Sequence, residues 1–258
     1  ANIKRLSFID SRGLVLKNIE TAFSYTPTKM LFSDLSIKTK SSLVSGNLQF
    51  DYQREDLNSF SDKVYISGFF ENSSLDLEEF NLLYDEFGAN QKVQLNTAFS
   101  GTLKDLKFDE FNLKTNSNTS INGKFHINEL FESSSDGFLL DGEFDKISST
   151  YEDLAALLPR VLGNTIPPGF NALGRFNMNG RAQITNESIQ AVMAVSTDIG
   201  SLFIDLNLDD LDLIDSASYV GQIRFIDFNL GSAIEEPTIG LVTSSLDVVG
   251  SGFSKESI

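Results

Sequence analysis

The 258-residue chain has no cysteine, no tryptophan and a single histidine, His126. Without cysteine there is no disulfide framework, zinc ribbon, iron–sulfur cluster or thiol nucleophile. One histidine rules out a multi-histidine metal site and leaves a Ser-His-Asp triad only one base to use. Basic residues are also scarce: 20 Lys and Arg stand against 36 Asp and Glu, a net charge of −16. Such a chain repels phosphate backbones, so nucleic acid is not an expected partner. It also repels an anionic membrane face. No apolar run approaches the ~20 residues that span a bilayer as a helix, and the first residues show no signal-peptide pattern. Proline is limited to five residues.

What the chain does have is 22 phenylalanines and a hydrophobic fraction of 41%, enough to fold. The apolar residues alternate with polar ones, which is the strand period. Val93, Leu95, Thr97, Phe99, Gly101 and Leu103 form one face of such a segment. Val44, Gly46, Leu48, Phe50 and Tyr52 form another, and Gly174, Phe176, Met178, Gly180, Ala182 and Ile184 a third. Similar segments occupy 19–25, 30–39, 63–70, 121–127, 138–146, 189–197, 201–208, 218–230 and 246–253. Each has one wet and one dry face. The phase slips at Asp109-Glu110 and again at Ile226-Asp227, as it does at a β-bulge, which bends a sheet.

Two segments have helical spacing. Asp76 and Glu79 are placed as the N-cap and N3 partners of a capping box, followed by Phe80, Leu83, Tyr84 and Phe87 on one face and Gly88 as the stop. Leu154, Leu157, Leu158, Val161 and Leu162 follow Thr150-Tyr151-Glu152-Asp153, with Pro159 inside the run. The Pro-Gly-rich stretch at 163–170 is a candidate sub-boundary within one continuous unit of 1–258. Residues 32–41 resemble 108–117, and each is followed by a strand with a central glycine, Gly46 or Gly123. This repeated strand–turn–strand unit points to a stacked architecture.

The sequence offers no convincing reaction centre. His126 sits on the polar face of its strand, between Phe125 and Ile127. There is no Gly-x-Ser-x-Gly elbow and no phosphate-binding glycine motif. The acidic run 205–215 lacks EF-hand spacing and reads as a strand, a tight turn and another strand. No catalytic residue, metal ligand or cofactor is assigned, and an enzyme is not expected. A hydrolase built on paired carboxylates is the weakest of the alternatives. A closed β-sandwich or β-solenoid with a structural or adhesive role is the main one. Against the sandwich stand the roughly 15 strands, many for one small sandwich. Glycine on the apolar face, at Gly46, Gly101, Gly123, Gly180 and Gly221, also marks curvature or a close approach.

Taken in order, several short pieces resemble the TamB branch of the AsmA-like family, in its Bacteroidetes form. They are Leu35-Ser36-Ile37-Lys38-Thr39 leading to residues 46–52, then 73–80, 99–103, 154–159 and Ile166-Pro167, then 197–200, 219–221, 228–231 and 250–253. The resemblance implies an internal segment of a longer chain, a reading that the start at Ala1 also favours. It implies an all-β fold: an elongated, antiparallel-rich sheet curled lengthwise into a U-shaped groove (a β-taco), with two short helices. It also implies a periplasmic, inner-membrane-anchored protein that carries phospholipid and supports outer-membrane biogenesis and protein assembly, with an Omp85-type outer-membrane barrel as partner. The expected groove lining is Phe23, Leu48, Phe50, Leu95, Phe99, Leu103, Phe125, Ile127, Phe144, Phe176, Met178, Ile204, Leu206, Ile223 and Phe225, interrupted by the five glycines above.

Overall fold

The computed structural model describes residues 1–82, 87–129, 137–157, 159, 168–211 and 217–252, and the backbone alone at 168–170. Fourteen strands follow one another: β1 (Asn2–Ile9), β2 (Val15–Thr26), β3 (Lys29–Lys38), β4 (Leu43–Asp51), β5 (Tyr65–Asp76), β6 (Lys92–Gly101), β7 (Asp105–Thr115), β8 (Ser120–Asn128), β9 (Leu139–Thr150), β10 (Arg175–Thr185), β11 (Ile189–Thr197), β12 (Gly200–Asp209), β13 (Ser218–Asn229) and β14 (Leu241–Ser251). All of them lie in one sheet, in sequence order and antiparallel throughout, and the sheet does not close into a barrel. The described strands therefore make a single curled sheet, not the two packed layers of a sandwich. Fourteen strands at ~4.8 Å spacing make a strip roughly 60 Å long. β9 and β10 flank the Pro-Gly stretch and pair directly over most of their length; residues 163–167 lie outside the described ones.

Four short helices sit at strand ends: α1 (Phe60–Lys63), α2 (Leu77–Phe80), α3 (Tyr151–Leu157) and α4 (Leu230–Ile234). α2 and α3 coincide with the starts of the two expected helices. Leu83, Tyr84, Leu158, Val161 and Leu162 lie outside the described residues. α1 and α4 have no counterpart in the sequence reading; they are a single turn each, too short for a 3.6-residue period to register. Asp76 caps α2 as expected, accepting from Glu78 N at 3.2 Å. Glu79 does not close the capping box. Its carboxylate instead takes Ser41 N at 3.0 Å, Ser42 Oγ at 2.5 Å and the Thr39 hydroxyl, binding α2 to the β3–β4 turn. Beyond β12, Asp210 turns the chain in a left-handed conformation; residues 212–215 of the expected next strand lie outside the described ones.

The curl has a local cause. β3, β5, β7 and β9 each carry one extra residue at mid-strand, at 33–34, 71–72, 109–110 and 145–146. These shifts lie side by side, linked through the intervening strands, and form a line of bulges across the sheet. On β2, β4, β6, β8 and β10 the inward positions along that line are Thr21, Gly46, Thr97, Gly123 and Gly180. A bulge bends its strand and raises its twist, so a row of them folds the strip lengthwise. Thr21 Oγ1 donates to Ser33 O and Thr97 Oγ1 to Glu110 O, each at 2.8 Å. The hydroxyls thereby satisfy carbonyls that the bulge frees from the ladder. On the outer side, Asn47 and Asn96 accept the bulge amides of Asp34 (3.1 Å) and Asn72 (2.6 Å). The bulges expected at 109–110 and 226–227 are both present, and the repeat of 32–41 in 108–117 is this bulged strand used twice.

Candidate functional site: an apolar groove

The inner face is one apolar surface shared by all the strands. Its side chains gather into three clusters. Tyr52, Val64 and Ile66 pack with Met30, Leu48, Phe50, Phe99 and Leu103. Leu75, Leu77, Val93 and Leu157 pack with Val44, Phe80, Phe87, Leu95 and Leu113. Ile147, Phe176 and Val195 pack with Ile121, Phe144, Leu154, Met178, Met193, Leu202 and Ile204. α3 spans the last two: Leu157 reaches the β4–β7 cluster while Leu154 sits in the β8–β12 cluster. Gly88 N donates to Leu157 O at 3.0 Å, which fastens this crossing. Helices α2 and α3 thus lie over the inner face at the strand ends where β5 and β9 finish.

Phenylalanine lines the floor. Phe70, Phe99, Phe108, Phe111, Phe125 and Phe144 form an unbroken chain of ring contacts across β5–β9, with centroids 5.1–6.0 Å apart. A second chain runs Phe23–Phe32–Phe50–Phe60, and Phe225 meets Phe228 near the other end. Such separations suit tilted and edge-to-face aromatic pairs. Phe32, Phe70, Phe108 and Phe111 are absent from the expected lining. Each flanks a bulge, where the extra residue turns a side chain back to the inner face that strict alternation sends outward.

All fifteen expected lining residues have a described position, and their burial is informative. Only Phe125 and Phe176 are buried, at 8% and 6% exposure; the other thirteen are half-buried. Phe23, Phe125, Ile127, Leu206, Ile223 and Phe225 stand outside the three clusters; Leu206, Ile223 and Ile127 face Gly221, Ile204 and Leu106 across their ladders. The chain exposes 15,024 Å² in total. A compact chain of 28.5 kDa exposes about 11,300 Å². The surplus of about a third fits a sheet whose apolar face is only partly covered.

The glycines divide by what a side chain would strike. At Gly46, Gly101, Gly123, Gly180 and Gly221, a Cβ would come within 2.0–2.3 Å of a neighbouring backbone carbonyl. The close approach inferred from sequence is therefore the next strand itself. At Gly68 and Gly142 the nearest atoms are aromatic: Phe99 lies over the first, and Phe144 and Phe125 over the second. These two glycines let rings lie flat along the floor.

The outer face is mostly polar. Lys107, Lys124, His126, Asp141, Glu143 and Arg181 form a cross-strand ladder on β7–β10. His126 Nε2 lies 2.5 Å from Asp105 Oδ1 on this wet face, a setting for a surface ion pair. Among the described residues there is no cluster of three or more His, Asp or Glu side chains suited to a metal ion. No helix among them is long and apolar enough to cross a membrane.

No protein-family model, curated protein or solved structure matches the chain significantly. The site therefore rests on its own geometry: a roughly 60 Å strip, apolar within and polar without, crossed by a short helix.

Proposed function

We propose that the chain is a section of a lipid conduit, in which phospholipid acyl chains lie along the inner face while their headgroups stay at the open mouth. The observation that carries this reading is the partial exposure of a continuous phenylalanine-rich face: thirteen of the fifteen lining residues keep some contact with solvent. A closed core buries such residues. Each methylene moved from water onto this surface is worth ~0.8 kcal/mol, so an acyl chain is retained without any specific polar contact. A floor of similar rings offers no strong preference along its length, which suits sliding. The polar outer face and net charge of −16 keep the strip soluble.

The resemblance to the TamB branch extends the proposal. The section would belong to a periplasmic bridge anchored in the inner membrane of a Gram-negative bacterium. That bridge would carry phospholipid toward the outer membrane, support outer-membrane protein assembly and meet an Omp85-type barrel through other parts of the chain. The test is extraction of the purified protein with organic solvent followed by mass spectrometry. Phospholipid in stoichiometric amount is expected. A lipid-free protein that also fails to take up phospholipid from vesicles would overturn the reading.

A further inference from the structure

α3 follows β9 without a connecting residue and turns back over the wall where β7 and β8 pair. On that wall Leu113 and Ile121 are cross-strand neighbours, one in the β4–β7 cluster and the other in the β8–β12 cluster. The helix bridges this seam. Leu154 packs on the Ile121 side, and Leu157, 4% exposed, on the Leu113 side. Its own first turn is capped from the end of β9, where Thr150 Oγ1 accepts from Asp153 N at 3.1 Å.

We propose, on the basis of the conduit reading above, that α3 occupies this wall as a stand-in for an acyl chain and is displaced from it when phospholipid loads. Seven residues are too few to sustain a helix by its own hydrogen bonds, so burial of its leucines is what chiefly seats α3. Those leucines meet aliphatic side chains, Leu75, Leu77 and Val93 at one end and Ile121 and Ile147 at the other. An acyl chain offers the same surface the same kind of contact. Helix and lipid tail are therefore alternatives for one stretch of wall, and whichever occupies it excludes the other. The cap from Thr150 lies on the α3 side of the swing, so the helix can leave the wall with its first turn intact. The seat is also tight: a Cβ on Gly88 would stand 1.8 Å from Ala156 O, so only glycine at this point lets α3 close. The wall is thereby covered in the empty protein and opened by the ligand itself.

The cysteine-free background allows two spin labels to report the movement on the 258-residue chain. Ala156→Cys, on the exposed side of α3, and Lys114→Cys, on the outer face behind the wall, are labelled together. Their separation is measured by double electron–electron resonance before and after loading from phosphatidylcholine vesicles. It should lengthen in the loaded protein by at least one van der Waals layer, roughly 4 Å. Gly88→Ala, which forces α3 off its seat, should show the longer separation before lipid is added. It should also take up phospholipid about tenfold faster, because uptake follows the fraction of protein with the wall open. Loading with no change in separation, or loading of Gly88→Ala no faster than wild type, overturns the displacement and leaves the conduit standing. No uptake by either protein overturns the conduit reading itself, and the displacement with it.

Discussion

Replacing Gly46 with alanine tests the cause of the curl. Gly46 sits on the bulge line at φ +152°, and a Cβ there would lie 2.0 Å from Phe69 O. Real Cβ atoms do not approach backbone so closely, and the obstacle is the neighbouring strand, not the tip of a mobile side chain. Two costs add. The backbone conformation is worth about 1–2 kcal/mol against any L side chain. Relief of the clash must part β4 from β5, losing one or two ladder hydrogen bonds at about 1 kcal/mol each. The expected destabilisation is about 3 kcal/mol, or a fall of about 10 °C in Tm for a chain of this size. Gly13→Ala is the control: its φ is +97°, but nothing lies within 4 Å of the added Cβ, so only the conformational cost applies. Gly68→Ala is a second comparison, because the atoms it meets belong to the Phe99 ring, which can swing aside. Urea and thermal unfolding followed by far-ultraviolet circular dichroism measure all three. If Gly46→Ala costs no more than Gly13→Ala, the fold line is not held by backbone approach at this residue and the reasoning fails.

Other consequences are equally checkable. Thr97→Val keeps the shape of a residue that is 3% exposed and removes the donor to Glu110 O; unfolding in urea should show a loss of about 1–2 kcal/mol. Burial raises the Glu79 pKa, but hydrogen bonds from Ser42, Thr39, Ser41 and Lys40 outweigh it and leave the carboxyl below its ordinary value. A lowered folded-state pKa means that this contribution is present above the unfolded carboxylate pKa and is lost as pH falls through the folded one. Thermal melts of wild type should therefore drop more steeply than those of Glu79→Gln as pH falls below the ordinary carboxylate pKa of ~4.3. Phe99→Glu should leave a folded protein that no longer carries lipid between vesicles, because a carboxylate on the floor must be desolvated by any passing acyl chain. Normal transfer by that variant would contradict the groove.

The sequence announces the strands because alternation is a strong signal wherever one face is wet, as on β11, where 189–197 matches Ile189–Thr197. It announces two bulges because Phe108/Phe111 and Phe225/Phe228 break that alternation within a single strand. The bulge of β3 hides in the same pattern: Phe32-Ser33-Asp34-Leu35 mirrors residues 108–111, yet reads as plain alternation when only Leu35 and Ile37 are counted. The alignment of bulges with Thr21, Gly46, Thr97, Gly123 and Gly180 is a property of register, which no single strand contains. The role of Glu79 is equally non-local, since its partners lie 37–40 residues away in sequence. The lining was legible as a list of apolar residues. Its partial exposure was not, because alternation reports which face is dry and not what covers it.

The most direct test of the groove compares its two faces. A photo-reactive amino acid placed at Phe99 or Phe125, on the floor, should cross-link phospholipid when the protein is loaded from vesicles. The same group at Ser100 or Lys124, the adjacent outward positions, should not. Labelling confined to the inner pair is the result expected of a lipid-carrying trough, and equal labelling from both faces would contradict it.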